Sequence, residues 1–454
     1  MRKYFGTDGI RRIANTELSP ELVYKVAKAG AYVLSKHTDH TPVILIGRDT
    51  RISGTLIESA MVAGFLSYGA NVKLLGVMPT PAVAYLTRKL NADASVVISA
   101  SHNTFEFNGI KFFSNKGTKI PDSLEEEIEE VMDSGKIEEL TAVGEKIGVS
   151  EVETELMEDY VHFFEDIFKE NTKTYDNSNF EVAIDTANGA TYEVAPKVFE
   201  ALGIKYHIIN NNPDGININH NCGSTHLEGL RDYVLKNKLS LGIAYDGDGD
   251  RCLAIDEKGN VLDGDKLLAI ISNYLKENGQ LKKGTIVATV MSNLGLNKYC
   301  EEKELQLIQT KVGDRYVLQE MLKDGYNFGG EQSGHVILLD YNPTGDGILT
   351  SLMLIQAILK SGKTASELSS IMKAYPQILV NAKVNPNKKY EYEKDAEIKQ
   401  AIENLEKEFS GNGRVLIRPS GTEPLVRVMI EGEDQAYLEK RATELATLIE
   451  QKLK

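Results

Sequence analysis

Cysteine is scarce in this 454-residue chain. Cys222, Cys252 and Cys300 stand far apart and odd in number. They suit a reducing compartment and make neither a disulfide framework nor a zinc site. Long apolar runs are missing too, and none approaches the length of a membrane span. The opening Met1-Arg2-Lys3-Tyr4-Phe5-Gly6 lacks the apolar core of a signal peptide, so the expectation is a cytoplasmic protein with no membrane partner. Basic residues are outnumbered, 51 against 66, for a net charge of -15. That argues against nucleic acid, which needs a basic footprint. It leaves room for anionic ligands, because local arginine clusters bind phosphate within acidic proteins. What remains, 42% hydrophobic and 26% charged residues, is the composition of a soluble globular chain, long enough for two to four domains.

Strands and helices alternate over the first four-fifths, which reads as α/β. The strands are continuous apolar runs, as expected when both faces of a sheet are covered. Val43–Ile46, Val182–Ile184 and Ile286–Val290 each lead into a polar, glycine-containing loop and a helix. A second strand follows in each unit: Val72–Leu75, Lys205–Ile209 and Leu305–Ile308. A third segment then ends in an unusual loop, around Ser101, around Asp246 and at Glu331–His335. The pattern predicts three related α/β domains, each offering one loop from the same sheet edge, where open α/β sheets bind ligands. The rival account is ordinary βαβ grammar. The acidic stretch Ser123–Gly148, leading into a helix over Val152–Glu170, and the segment Ala374-Tyr375-Pro376 look like joints. Beyond the latter the pattern becomes strand, charged helix near Glu391–Phe409, two strands and a final helix, a small α+β domain. The expected domains are therefore 1–150, 151–253, 254–370 and 371–454.

Four loops carry chemistry. Ser101 ends the apolar strand Ala94–Ile98 in the run Ser99-Ala100-Ser101-His102-Asn103, where a serine can carry a phosphoryl group or merely turn the chain. Asp246, Asp248 and Asp250 alternate with glycines, so their carboxylates face one side of an extended backbone. Hard oxygen ligands suit Mg²⁺, the alternative being a solvated acidic turn. An EF-hand is excluded, because Arg251 stands where that loop needs glycine and the flanks read as strands. Arg418, Ser420, Gly421 and Thr422, with Arg427 nearby, can form an anion nest with charged clamps, or an ordinary surface turn. Glu331, Ser333 and His335 occupy alternate positions after a Gly-Gly pair and can meet sugar hydroxyls. Lys111 and His335 can give or take protons, though Lys111 also reads as a solvated strand lysine. Gly47-Arg48-Asp49-Thr50-Arg51 leaves phosphate and structural roles both open, and Gly6–Arg11 puts another arginine beside glycines.

Together these segments resemble the α-D-phosphohexomutase superfamily nearly end to end. Phe5–Arg11, Pro213-Asp214-Gly215 with Asn217-Ile218-Asn219, Asn221–His226, Thr289–Leu296 and Gln332 resemble its amino-sugar branch. The resemblance implies three related α/β domains and a smaller phosphate-binding fourth around a central cleft. It implies a phosphoserine at Ser101, one Mg²⁺ held by Asp246, Asp248, Asp250 and the serine's phosphate, and acid/base roles for Lys111 and His335. Glu331 and Ser333 match sugar-hydroxyl contacts, and Arg251 matches a residue near the phosphoryl group. The implied activity interconverts glucosamine 6-phosphate and glucosamine 1-phosphate through glucosamine 1,6-bisphosphate, feeding UDP-N-acetylglucosamine and cell-wall synthesis. Glucose or mannose phosphate is the alternative substrate, and a non-catalytic sugar-phosphate sensor the alternative class. The implied partners are sugar phosphates; the sequence fixes no oligomeric state, a dimer being one option. Three positions depart from the pattern: Thr104 replaces a proline, Phe107 a polar residue and Arg12 a glycine. With Thr104, φ is no longer fixed, and a looser Ser101 loop is the expectation.

Overall fold

The computed structural model describes the chain except residues 1, 2, 7, 175–178, 410, 421 and 422; for 169–174 it describes the backbone alone. The chain forms two compact units, Met1–Val290 with Gln306–Ser370, and Met291–Leu305 with Ile371–Lys454.

Three mixed sheets build the first unit. Their strands, taken in chain order, are Val43–Arg48, Asn71–Val77, Ala94–Ile98 and Phe107–Ser114; Glu181–Asp185, Lys205–Ile209, Leu241–Tyr245 and Cys252–Asp256; and Thr285–Thr289, Gln306–Thr310, Phe328–Gly330 and Val336–Leu338. Each sheet reads fourth, third, first, second. The first three strands run parallel and the fourth is antiparallel to the third. One strand order used three times bears out the internal repeat. The connections between third and fourth strands, 99–106, 246–251 and 331–335, are the three unusual loops of the sequence. Ile10–Ile13 and Ser150–Val152 extend the first sheet at its two edges, and Val261–Leu262 extends the second.

The sequence explains these layers. Ala94–Ile98 is buried at every position, so both its faces are covered, and each buried Val or Ile contributes about 1.5–3 kcal/mol. The helices Pro20–Ser35 and Gly54–Tyr68 pack closely because Gly64 carries no side chain. A Cβ there would lie 2.6 Å from both the Ala27 Cβ and the Tyr24 carbonyl oxygen.

Some boundaries differ from expectation. Val152 lies in the edge strand, and the helix begins at Met157. Pairing with Asn71–Val77 holds Ser150–Val152 extended, and the Glu153 N–H donates to Leu74 O at 2.8 Å. The acidic stretch is partly a helix, Asp122–Asp133, whose Ile128 and Val131 join the first hydrophobic core. In the second unit the helix near Glu391 starts only at Ala396, where the Asp395 carboxylate accepts from the Glu397 and Ile398 N–H groups. That unit also has an antiparallel sheet in the order Gln377–Lys383, Leu425–Glu431, Arg414–Pro419, with the helix Gln435–Leu453 capped by Asp434. Cys222, Cys252 and Cys300 are free and buried. Among the described residues no helix is long and apolar enough to cross a membrane.

Candidate active site

Ser101 sits in the left-handed region, with φ of +52°, and is buried. That conformation costs a non-glycine residue about 1–2 kcal/mol, so neighbours must hold it. Its N–H donates to Ser99 Oγ at 2.9 Å, and Ser99 Oγ donates to Asp49 Oδ2 at 2.6 Å. Its carbonyl accepts from the buried Arg51 guanidinium and from Asn219. The Ser101 hydroxyl donates to Asp246 Oδ2 at 2.7 Å and lies 3.2 Å from His102 Nδ1. Burial, then Arg251 and Arg11, depress His102 to about 4, so its ring is neutral at pH 7.

Asp246, Asp248 and Asp250 fill the tight turn between two antiparallel strands, and all three are buried. One oxygen from each lies within 4.8 Å of the others. A solvated turn is thus ruled out. Burial, then Asp250 and Asp248, push the Asp246 carboxyl well above the usual range. Asp248 Oδ1 and Asp250 Oδ1 have no hydrogen-bond partner. Converging buried carboxylates with unpaired oxygens fit a divalent cation with hard oxygen ligands.

Lys111 is buried, not solvated. Its Nζ lies 2.9 Å from Asp248 Oδ2, 3.3 Å from Asp8 and 3.7 Å from Asp250. Burial opposes its charge, but these carboxylates outweigh it and raise its pKa, so it is a fixed ammonium. Asp8 pairs with Lys119, which lies 2.6 Å from Asp314 Oδ2. His335 stands 3.5 Å from Asp314 and 3.5 Å from Asp250. Lys111, Asp8, Lys119 and Asp314 so alternate in sign, and His335 bridges Asp314 and Asp250 to close the ring. Burial lowers the His335 pKa, and the two carboxylates more than reverse this. The Gly345 N–H donates to Nε2 at 3.0 Å, which places the ring proton on Nδ1, facing Asp250. Asp8, Lys119 and Asp314 were not found by sequence reasoning. Asp8 lies inside a noted motif, but Lys119 and Asp314 stand in no motif and are brought in by topology.

Arg251 follows the triad directly. Its N–H donates to Asp246 Oδ1 at 3.1 Å, and its side chain, about a quarter exposed, reaches within 3.9 Å of Asp250. Glu331 accepts from the Gly313 N–H at 3.1 Å, and burial, then Asp314, raise its pKa. Ser333 is exposed at the turn. The Ser101, Asp246, Lys111, Arg251 and Glu331–His335 positions therefore belong to one compact unit, linked through hydrogen bonds and charge.

The second unit holds the other loop. Arg418 and Arg427 face each other across paired strands, a like-charge pair that an anion would relieve. Burial, then Arg427, lower the Arg418 pKa. Ser420 is buried; its Oγ accepts from the Glu423 N–H and its carbonyl from Lys389 Nζ. Gly421 and Thr422 lie outside the described residues.

The departures from the family pattern do not leave the Ser101 loop free. The Thr104 carbonyl accepts from Arg51, as does that of Phe107, at 3.0 Å. Arg12 donates to Lys3 O at 2.8 Å and stacks over Tyr4, with no part in these loops.

Four family models, described as phosphoglucomutase/phosphomannomutase domain I, domain II, domain III and C-terminal domain, match residues 2–139, 158–259, 263–375 and 379–448. Curated relatives named phosphoglucosamine mutase are 54% identical in Ruminiclostridium cellulolyticum and 55% in Clostridium acetobutylicum, each over the full length of both chains. Among solved structures, a phosphoglucomutase/phosphomannomutase family protein from Burkholderia thailandensis shares the fold at a TM-score of 0.80 and 21% identity, over 98% of both chains. An Aspergillus fumigatus N-acetylphosphoglucosamine mutase, solved with GlcNAc-6P and magnesium, gives 0.69 at 17% identity, over 100% of this chain and 96% of its own. The chain belongs to the phosphoglucomutase/phosphomannomutase family, the α-D-phosphohexomutase superfamily, and within it groups with the phosphoglucosamine mutases.

Proposed function

We propose that this protein is a phosphoglucosamine mutase, an isomerase that converts glucosamine 6-phosphate to glucosamine 1-phosphate through a phosphoserine at Ser101. The observation that carries the reading is the Ser101 hydroxyl 2.7 Å from Asp246, in a buried triad with two unpaired oxygens. Phospho-Ser101 gives its phosphoryl group to the sugar's O1: the Oγ–P bond breaks, the O1–P bond forms, the O1 proton passes to His335 and Oγ takes one from Lys111, and the return transfer moves both protons back. The resulting glucosamine 1,6-bisphosphate turns over and returns its 6-phosphoryl to Ser101. Asp246, Asp248 and Asp250 with a phosphate oxygen would hold Mg²⁺, which neutralises charge on the phosphoryl group in transfer.

Lys111, held cationic and buried, supplies a second positive charge and a proton for Ser101 Oγ. His335 keeps its proton on Nδ1 beside Asp250 and is the second proton carrier. Arg251 lies beside the triad and can reach the phosphoryl oxygens. Glu331 and Ser333 take the sugar hydroxyls. Arg418, Ser420, Gly421, Thr422 and Arg427 take the phosphate that does not react, supported by two guanidiniums facing each other across paired strands. A cytoplasmic location is consistent with free, buried cysteines.

The test is kcat/KM for glucosamine 6-phosphate and glucose 6-phosphate, side by side, on enzyme primed with bisphosphate and saturated with Mg²⁺. A preference for glucosamine is expected. Equal values, or a preference for glucose, would move the protein to the hexose branch.

A further inference from the structure

We propose that Arg51 and Asn219 are positioning residues that together aim Ser101, taking over the restraint that a proline at position 104 would supply. The inference rests on Ser101 being the phosphoryl carrier.

Arg51 is 1% exposed, and every N–H of its guanidinium is used. Nε donates to Asp49 Oδ2 at 2.7 Å. Nη1 donates to the carbonyls of Thr104 and Phe107, and Nη2 to those of Ser101, at 3.0 Å, and Asn103, at 2.8 Å. Asn219 comes from the second sheet's connecting segments, and its Nδ2 donates to two of the same carbonyls, Ser101 at 2.8 Å and Asn103 at 2.9 Å. Both carbonyls therefore spend both lone pairs, one on each clamp. The amide can point only this way, since its oxygen would otherwise face two carbonyl oxygens. It does so although Asn219 Oδ1 is left buried and unpaired, a cost of about 1–3 kcal/mol.

The clamp also registers Ser101 against the triad. A Cβ on Gly247 would lie 2.5 Å from the Ser101 carbonyl oxygen and 2.7 Å from Asn219 Nδ2, so the turn bearing Asp246 abuts the clamped carbonyl. The Arg51 loop is tied to the second sheet's loops as well: Thr50 Oγ1 donates to Asn188 O at 2.6 Å, and the Ile52 N–H to Gly215 O at 2.8 Å. Every bond to the Ser101 loop from Arg51 and Asn219 is made to backbone carbonyls. Such a clamp is indifferent to side-chain identity, and the loop thus tolerates Thr104 and Phe107.

Asn219→Ala removes one clamp without adding bulk. Enzyme loaded through glucosamine 1,6-bisphosphate is followed in three ways: kcat and KM, melting midpoint, and phosphoryl loss to water, in which water's oxygen bonds phosphorus, Oγ–P breaks and serine regains its proton. Loss of aim lowers kcat on the order of 100-fold, with KM little changed, and raises hydrolysis relative to transfer. Thr104→Pro is then introduced into both backgrounds. It is expected to restore kcat proportionally more in Asn219→Ala than in the parent, a coupling that a merely structural role would not give. Arg51→Lys, which keeps the charge but loses the planar five-donor fork for three donors, should act in the same direction as Asn219→Ala. If it fails to fold, Asn219→Ala carries the test. Wild-type kcat in Asn219→Ala, a kcat loss explained by a smaller folded fraction, or equal effects of Thr104→Pro in both backgrounds would overturn the proposal. Absence of phosphate on Ser101 in the loaded parent would overturn the mutase reading with it.

Discussion

The Ser101 loop and the Asp246–Asp250 loop occupy the same place in the same strand order, yet they are held in different ways. The aspartate turn is short, and it is held largely through its own carbonyls, which accept from the Thr80, Ala190 and Gly347 N–H groups. Gly249, at φ of +70°, turns the chain, and Gly247 lets it approach Ser101. The serine loop is longer and is held by side chains from outside it, Arg51, Asn219 and, through Ser99, Asp49. A metal site needs its ligands close to one another, which local sequence can supply. A nucleophile must be aimed at groups on another sheet, and that needs restraints from elsewhere in the chain.

The largest effect should come from the aspartate turn. Asp246→Asn removes a ligand and should cut turnover on the order of 1,000-fold. It also relieves repulsion among buried carboxylates, so the metal-free protein should melt no lower than the parent while the rise in melting midpoint with Mg²⁺ is lost. A parent-like Mg²⁺ shift in this variant would place the ion elsewhere. Next is Gly247→Ala, which drives a methyl into the Ser101 carbonyl and uncouples the two loops. A loss of roughly 100-fold in kcat is expected, with about 1–3 kcal/mol of stability, while Mg²⁺ binding persists. Equal damage to metal binding would mean that the loops are not separable.

Arg418→Ala should act outside the comparison altogether. Losing a charge-assisted partner of the remote phosphate raises KM about tenfold, with the Mg²⁺ melting shift unaltered. Unchanged affinity for both monophosphates would show the phosphate loop to be elsewhere. The smallest effect concerns pH. Burial opposes charge on Asp8, but Lys111, Lys119 and Arg11 hold its carboxyl well below its ordinary 3.8. Its contribution is therefore full above that value and is lost as pH falls through the depressed one. Asp8→Asn should flatten the acid limb of the stability curve below pH 4 and leave the neutral limb parallel to the parent's. A flattened limb near neutrality instead would contradict this.

What could be read from the sequence follows the same division. The repeated strand grammar and the aspartate turn are local patterns, and both were legible. So was the small C-terminal domain, although its charged helix starts at Ala396 because Asp395 caps it there. Val152 read as helix because its neighbours are helical in pattern, while pairing at a sheet edge decided otherwise. Arg51 was visible in Gly47–Arg51, but its four carbonyl acceptors lie about fifty positions away in the chain. Asn219 stood out only as a mark of the amino-sugar branch. Lys119 and Asp314 left no local signature, since charge alternation around Lys111 and His335 exists only once the sheets are assembled.

The central claim is that Ser101 carries the phosphoryl group between the two ends of the sugar. Enzyme labelled with radioactive phosphate on Ser101 can be mixed with glucosamine 6-phosphate for a single turnover and quenched at intervals. The account predicts that label leaves the Ser101 peptide and enters the sugar phosphates at a rate no slower than kcat. Label that stays on Ser101 while glucosamine 1-phosphate accumulates would contradict it.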